Sequence, residues 1–405
     1  MEKLKEREHD FGSKLRQDAT LQRLKDYIQW QRDCEIDASD RGLPIFSPIS
    51  INLDLTSACN FSCPFCVDSK LINAGKALTR EEVEKTIHTL HSHGLLSVIL
   101  IGGGEPTLHR DFGEIVRYIK SERLQVGIVT NGSQLERVEA VVEELEEKDW
   151  IRISVDAAGE EVFKALHVPK TQVTLGGILE KAKKMKKRNP LVSLGYSFVV
   201  VWEGVEINGK KLRANLDEMT RSVELAREFS FDYVSFKPCL VRWNESQRET
   251  LLKNVVKTKE EEIIDQIKIH LQEARHVAGD QIKILESSNL KAMLNRETDQ
   301  IKRQPGRCHM QFFRTVVTPF GIFHCPAFRG VEAARVGKPD GYLSETKFRE
   351  SVRWAAKSIL TFDARKECKD IGCFYNRTNW WLDEFIHSKK DVHDLEKVEN
   401  DNFFL

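Results

Sequence analysis

Apolar positions along this chain switch between two periods. Short unbroken or alternating runs mark strands, and spacings of three and four mark helices. The first 40 or so residues read as polar helix with a loose stripe of Leu15, Leu21, Leu24, Tyr27 and Ile28, until Pro44 and Pro48 interrupt it. Ile49, Ile51, Leu53 and Leu55 then alternate as in a half-buried strand. A helix opened by the capping box of Thr79 and Glu82 runs to His93, Gly94 stops it, and Ser97 to Ile101 reads as a buried strand. Asp111 with Glu114 caps the next helix, which carries Ile115, Val116, Tyr118 and Ile119 into a third strand, Val126 to Val129. The pattern repeats. A helix over 134–147 leads to a strand over 150–156, one over 174–187 to a strand over 192–202, and one over 217–229 to a strand over 233–236.

Six strand–helix units, the sixth completed by the chain beyond Phe236, predict a parallel sheet with right-handed crossovers, either doubly wound or a barrel. Periodicity does not choose between them. In barrels the chemistry sits at the carboxyl ends of the strands, and a cysteine loop, Gly102–Gly104, Asn131, Asp156 and Lys237 all fall there. Residues 246–300 are highly charged, with Leu251, Leu252, Val255, Val256, Ile263, Ile264, Ile267 and Leu271 at helical spacing, and predict a long connecting helix packed on the barrel. Thr315 to His324 predicts a hairpin turning at Pro319 to Gly321. The organisation expected is a helical leader over 1–47, a core over 48–245, a helical connector over 246–300, a small α+β domain over 301–388 and a polar tail over 389–405, ending in Phe403-Phe404-Leu405.

With 405 residues the chain can bury a large core, and its 62 basic and 62 acidic residues cancel. No overall field draws it to nucleic acid or to an anionic membrane, which leaves a small molecule or a peptide as the substrate class. The charged first residues lack the apolar core of a secretion signal, and no apolar stretch approaches membrane-spanning length, so a cytoplasmic protein is expected. In that reducing setting nine cysteines point to metal ligation or redox chemistry rather than to disulfides.

Three of the nine stand in Cys59-Asn60-Phe61-Ser62-Cys63-Pro64-Phe65-Cys66. Thiolates so spaced can wrap a cubane iron–sulfur cluster, whose usual complement is four, so one iron would lack a protein ligand. The competing reading is a zinc knuckle that borrows a fourth ligand such as Asp68. Four more, Cys308, Cys325, Cys368 and Cys373, group near the C-terminal end. Sixteen residues separate the first pair and four the second, unlike a zinc-ribbon knuckle, although four thiolates would also suit structural zinc.

The cysteine loop, with Phe65 before its last cysteine, resembles that of the radical S-adenosylmethionine (SAM) family, and the C-terminal spacing resembles the twitch domain, the shortened relative of the SPASM extension. The resemblance implies a partial (β/α)6 TIM-type barrel followed by a small C-terminal α+β cluster-binding domain. It implies a 4Fe–4S cluster on Cys59, Cys63 and Cys66 with SAM at the open iron, and an auxiliary 4Fe–4S cluster on Cys308, Cys325, Cys368 and Cys373. One electron, from a low-potential donor such as flavodoxin or ferredoxin, cleaves SAM to a 5′-deoxyadenosyl radical in that family. Gly103, Gly104 and Glu105 match its motif for the methionine amine. Ser154 and Asp156 match its Ser-x-Asp near the ribose or substrate, and Thr130 with Asn131 occupies the matching turn; capping and turn roles are the alternative for these.

Lys237 reads equally as a substrate contact or a solvated strand end. Cys239, just past the sixth strand, reads either as a hydrogen-atom donor or as an inert buried thiol. Cys34 carries no role, and His309 and His324 read as hairpin residues. Trp202, Trp243, Trp380 and Trp381 line the substrate space or simply pack. The activity implied is hydrogen abstraction from a small molecule or peptide, an oxidation or dehydrogenation with the auxiliary cluster as electron acceptor. Alternatives are an epimerase using Cys239, a peptide-crosslinking maturase and, outside catalysis, a metal-binding scaffold. A leader too short for a winged-helix recognition domain favours a small molecule.

Overall fold

The computed structural model describes residues 11–34, 42–242, 249–250 and 257–399. Trp243, Leu251, Leu252, Val255, Val256 and Phe403 to Leu405 lie outside the described residues. One ten-stranded sheet organises the molecule. Its strands are β1 Ser50–Leu53, β2 Ser97–Leu100, β3 Gln125–Thr130, β4 Trp150–Ser154, β5 Ser193–Val200, β6 Tyr233–Pro238, β7 Lys283–Glu286, β8 Arg314–Thr318, β9 Gly321–Phe323 and β10 Arg335–Gly337. Their order across the sheet is β7-β6-β5-β4-β3-β2-β1-β8-β9-β10. Neighbours from β7 through to β8 are parallel, and β9 and β10 add antiparallel edges. The two outermost strands, β7 and β10, are not paired with each other, so the barrel is open.

Helices over Arg80–Ser92, Phe112–Ser121, Leu175–Arg188 and Met219–Glu228 return the chain between parallel strands. The capping box of Thr79 and Glu82 closes in both directions. Leu53, Leu100, Ile128, Ile153, Tyr196, Phe198 and Phe236 face these helices and are fully buried. Parallel strands are covered on both faces. That corrects the half-buried expectation for β1, where Asn52 and Asp54, on the other face, are buried as well.

Four further differences have local causes. The helix expected over 134–147 is a five-residue helix, Leu135–Glu139, and a 3-10 turn, Val142–Glu144, because its apolar positions dip into the core without sustaining a helical stripe. Asp111 makes no side-chain cap and its carboxylate turns to Arg110 instead. The connector is not one helix: Lys257–Ala278 is followed by β7, which adds to β6, and by the short helices Ser288–Leu294 and Thr298–Lys302. Only Ile284 and Leu285 mark β7 as apolar, and all four of its residues are half-buried, as befits a sheet edge. The hairpin forms as expected, but β8 pairs in parallel with β1, so the C-terminal segment continues the barrel sheet.

The leader helix Asp18–Asp33 packs on the C-terminal segment. Trp30 stacks on Phe312, the Tyr27 hydroxyl meets His309 Nδ1 at 2.8 Å, and Arg32 donates to carbonyls of Phe385, Ile386 and Lys390. Those carbonyls lie at and beyond the end of the helix Asn376–His387, where a cation is favoured.

Candidate active site

β1 delivers the cysteine loop to the carboxyl end of the sheet. The chain is held there by Ser57 N–H donating to the Lys76 carbonyl, and by the Asn73 side chain accepting from Cys59 N–H at 2.9 Å. Asn73 has φ 60, a conformation Asn tolerates. Cys63 and Cys66 close a turn, Cys66 N–H to the Cys63 carbonyl at 3.1 Å, and Phe61 is buried against Phe163 and His167. All three thiols are half-buried and form no disulfide. Burial pushes each of them up, Cys66 to about 12, and Cys63 is raised further by Cys66, Asp156 and Cys59. A cationic cluster would relieve that repulsion and take the thiolates. Among the described residues no three His, Cys, Asp or Glu side chains converge tightly enough for a single metal ion. A cubane asks for no such convergence, since each thiolate binds a different iron.

The glycine triplet after β2 lies directly against this loop. A Cβ on Gly104 would stand 2.5 Å from the carbonyls of Thr56 and Ala58, so only glycine allows the approach. Glu105 N–H then donates to the Ala58 carbonyl at 2.8 Å. The Glu105 carboxylate is buried and accepts four bonds, from Thr107 N–H and hydroxyl, the Thr130 hydroxyl and Asn131 N–H. Asn131 in turn donates to Asn60 in the cysteine loop at 3.0 Å. Gly103, Gly104, Glu105, Thr130 and Asn131 are thus brought to one place with the cysteines.

Asp156 follows β4 with φ 56 and accepts from Val199 N–H at 2.7 Å. Its Oδ2 lies 3.4 Å from His167 Nε2, and His167 Nδ1 lies 3.3 Å from Cys63 Sγ. His167 also donates from Nε2 to the Val155 carbonyl, which leaves Nδ1 as an acceptor facing the thiol. Burial raises the Asp156 carboxyl, with His167 opposing it, and burial lowers His167. Sequence reasoning missed His167. It ends the helix Glu160–His167, and no spacing to the cysteines signals it. Ser154 is half-buried on the inner face, and Lys237 donates to Ser197 at 3.3 Å. Cys239 is buried in the main core, and burial, reinforced by Asp156, holds its thiol up to about 12.

Cys308, Cys325, Cys368 and Cys373 meet in one satellite cluster with Ala327, Phe328, Phe362 and Ile371. The Cys373 thiol is pushed up by burial, then by Cys308 and Cys325. His324 packs on Phe328 and Phe362, while His309 is engaged by Tyr27 and Asp383. Trp202 is core, Trp381 is half-buried beneath Arg16, and Trp380 bonds the Arg303 carbonyl. Trp150 faces the barrel interior instead, with Ile99, Ile101 and Val129.

The two cysteine groups are joined by Arg329, four residues past Cys325. Its buried guanidinium lies 2.7 Å from Asp54 and 2.8 Å from Asp68, two residues past Cys66. A Cβ on Gly102 would strike it at 2.6 Å, and one on Gly103 would strike Asp54 at 2.6 Å.

An open parallel barrel with a three-cysteine loop after its first strand defines the class. Residues 53–207 match the Radical SAM superfamily, and this stretch is a radical SAM domain. Over 127 residues the chain is 35% identical to an S-adenosylmethionine-dependent nucleotide dehydratase of Selenomonas ruminantium, covering 31% of this chain and 42% of that protein. It is 27% identical over 285 residues to a probable GTP 3',8-cyclase of Thermoplasma volcanium, covering 69% and 76%. The chain spans about half the length of the first curated relatives it matches, 42% and 53%. In fold it is similar to Streptococcus suis SuiB bound to its precursor peptide SuiA, with TM-score 0.54, 14% identity and coverage of 77% and 68%. It is also similar to anSMEcpe with bound AdoMet, with TM-score 0.51, 15% identity and coverage of 84% and 100%.

Proposed function

We propose that the protein is a radical SAM enzyme that abstracts hydrogen from a small molecule, in an oxidation or dehydrogenation assisted by an auxiliary cluster. The convergence of Cys59, Cys63 and Cys66 with Gly103 to Glu105 at one strand end carries this reading. Cys59, Cys63 and Cys66 would hold a 4Fe–4S cluster, and Cys308, Cys325, Cys368 and Cys373 a second. Together the first cluster and bound SAM would supply a hydrogen-abstracting radical, given one electron from a low-potential donor such as flavodoxin or ferredoxin. Around it, Gly103 and Gly104 let the backbone approach, and Glu105 fixes Thr130 and Asn131 beside the cysteine loop. Ser154 and Asp156 would lie near the ribose or substrate, and Phe65 precedes the last cysteine. The names of the curated relatives support a nucleotide-like small molecule over a peptide. Nine cysteines outside any disulfide fit a reducing, cytoplasmic setting. Anaerobic reduction with SAM should yield 5′-deoxyadenosine. A reconstituted protein that binds iron but never cleaves SAM is a scaffold.

Glu105→Ala should weaken SAM binding and cost about 1–3 kcal/mol of stability, because the buried donors it serves lose their acceptor. Iron content should stay near wild type. Anaerobic SAM titration and urea unfolding check both parts, and unchanged SAM affinity would remove Glu105 from the site.

Epimerisation is the second reading, supported by Cys239. Burial keeps its thiol protonated beside Asp156, so the S–H hydrogen needed to quench a substrate radical is present at neutral pH. In that case Cys239→Ala still forms 5′-deoxyadenosine but releases no inverted product, and wild-type product made in deuterated water carries one solvent deuterium. Wild-type turnover in the variant would leave only the oxidative reading.

A further inference from the structure

Closed barrels fill their interior with packed side chains, whereas here several inward-facing residues keep accessible surface. The Trp150 ring lies across Gly127, whose Cβ would come within 2.3 Å of it, and the Tyr233 ring lies across Gly195, whose Cβ would come within 2.1 Å. Each glycine is the register partner of its aromatic on the next strand. Two strands therefore give up side chains so that two rings can lie across them.

Arg152 stands on this floor. It pairs in register with Gly195, its guanidinium sits 5.2 Å from the centre of the Trp150 ring, and its Nε has no hydrogen-bond partner among the described residues. Protein surrounds it, yet it keeps accessible surface, as do Ile101, Val129, Ser154, Val199 and Lys237 on the same face. The titratable groups near enough to act on it are the Tyr233 phenol and two further cations, Arg314 at the amino end of β8 and Lys237. One register step above Arg152, Ser154, Ser197 and Ser235 form a row of hydroxyls across β4, β5 and β6. A step higher stands Lys237, donating to Ser197. From Arg152 to Asp156 the wall rises about 13 Å, at ~3.3 Å per residue.

A cation held inside the barrel without a counter-charge is costly, and the groups above this one are hydroxyls, the Lys237 ammonium and, at the top of the wall, the Asp156 carboxyl. We infer that the barrel interior is a binding site for an anionic small molecule whose phosphate-like group pairs with Arg152 and whose body runs up the serine row, past Lys237, to the cysteine loop. This deepens the proposed function and rests on it for the identity of the reacting molecule. The Arg152 fork suits a phosphate, which accepts two parallel N–H bonds, and the row of hydroxyls suits a sugar or another polar middle.

Inorganic pyrophosphate is the probe, with calorimetric affinity and thermal midpoint measured on the anaerobically reconstituted protein and on Arg152→Met and Arg152→Lys. Pyrophosphate should raise the wild-type midpoint. It should bind Arg152→Met about tenfold to a hundredfold more weakly, with Arg152→Lys retaining part of the affinity. Without ligand, Arg152→Met should melt no lower than wild type, because the substitution removes an uncompensated charge. Failure of pyrophosphate to bind the wild type, equal binding by Arg152→Met, or a lower ligand-free midpoint in that variant would each overturn the proposal, the last by showing that the guanidinium is structural. SAM cleavage followed in parallel separates the two readings. Cleavage without pyrophosphate binding removes the anion site alone, and binding without cleavage removes the radical chemistry alone.

Discussion

Replacing Cys59, Cys63 and Cys66 together by Ala should remove about half of the iron and all SAM cleavage. The wild type reconstituted without oxygen should hold two 4Fe–4S clusters, about eight irons, and the triple variant about four. The separation is clean because the groups share no ligand: three thiols sit on the loop after β1 and four in the apolar cluster around Phe328 and Phe362. The three thiols are half-buried and set against a backbone-only contact at Gly104, so the loop keeps its shape when they are truncated. Iron analysis and anaerobic 5′-deoxyadenosine assay read the result. Stoichiometric zinc with no second cluster in the triple variant would sink the auxiliary-cluster assignment and leave a structural metal site in its place.

Arg329→Met should cost about 3–5 kcal/mol at neutral pH and upset both cysteine groups together, because it takes the shared cation from two buried acidic side chains, Asp54 and Asp68. The loss should depend on pH. Burial pushes the Asp54 carboxyl up to about 8, with Arg329 pulling it down and Asp68 pushing it further up. A carboxyl raised above its ordinary value of 3.8 gives stability that is complete below that value and is lost as pH climbs through 8, since the folded state alone holds the proton in between. Without Arg329 the folded-state value rises further, so at pH 8 the variant still holds the Asp54 proton that the wild type is giving up to form the ion pair, whereas at pH 5 both hold it. The gap between variant and wild type in urea midpoint should therefore be smaller at pH 5 than at pH 8. Equal gaps at the two pH values would show that Arg329 acts through packing alone.

Much of this was legible in the chain because it depends on local rules. The Thr79–Glu82 box, the turn at Gly321 and the parallel strands each arise from a few neighbouring residues, and the structure forms them where the pattern places them. Local rules also misled. Asp111 offered a cap and used its carboxylate on Arg110, and the stripe over 134–147 broke into a five-residue helix and a 3-10 turn because its apolar positions do not sustain a helical stripe.

What the sequence by itself determined is the set of groups that can do chemistry: three cysteines after one strand, four more near the end, and glycines where backbones must touch. These are fixed by spacing and by the absence of a side chain, which no folding alters. Only the tertiary structure decided the contacts between distant segments. His167 reaches Cys63 across 104 residues, Arg329 reaches Asp68 across 261, and β8 pairs with β1 although more than half the chain lies between them. The interior floor of Trp150, Tyr233 and Arg152 is of the same kind, since each ring lies on a glycine of the neighbouring strand. Such contacts depend on strand register and on which face a side chain takes, and both are set by the closing of the whole sheet rather than by any residue's neighbours in sequence.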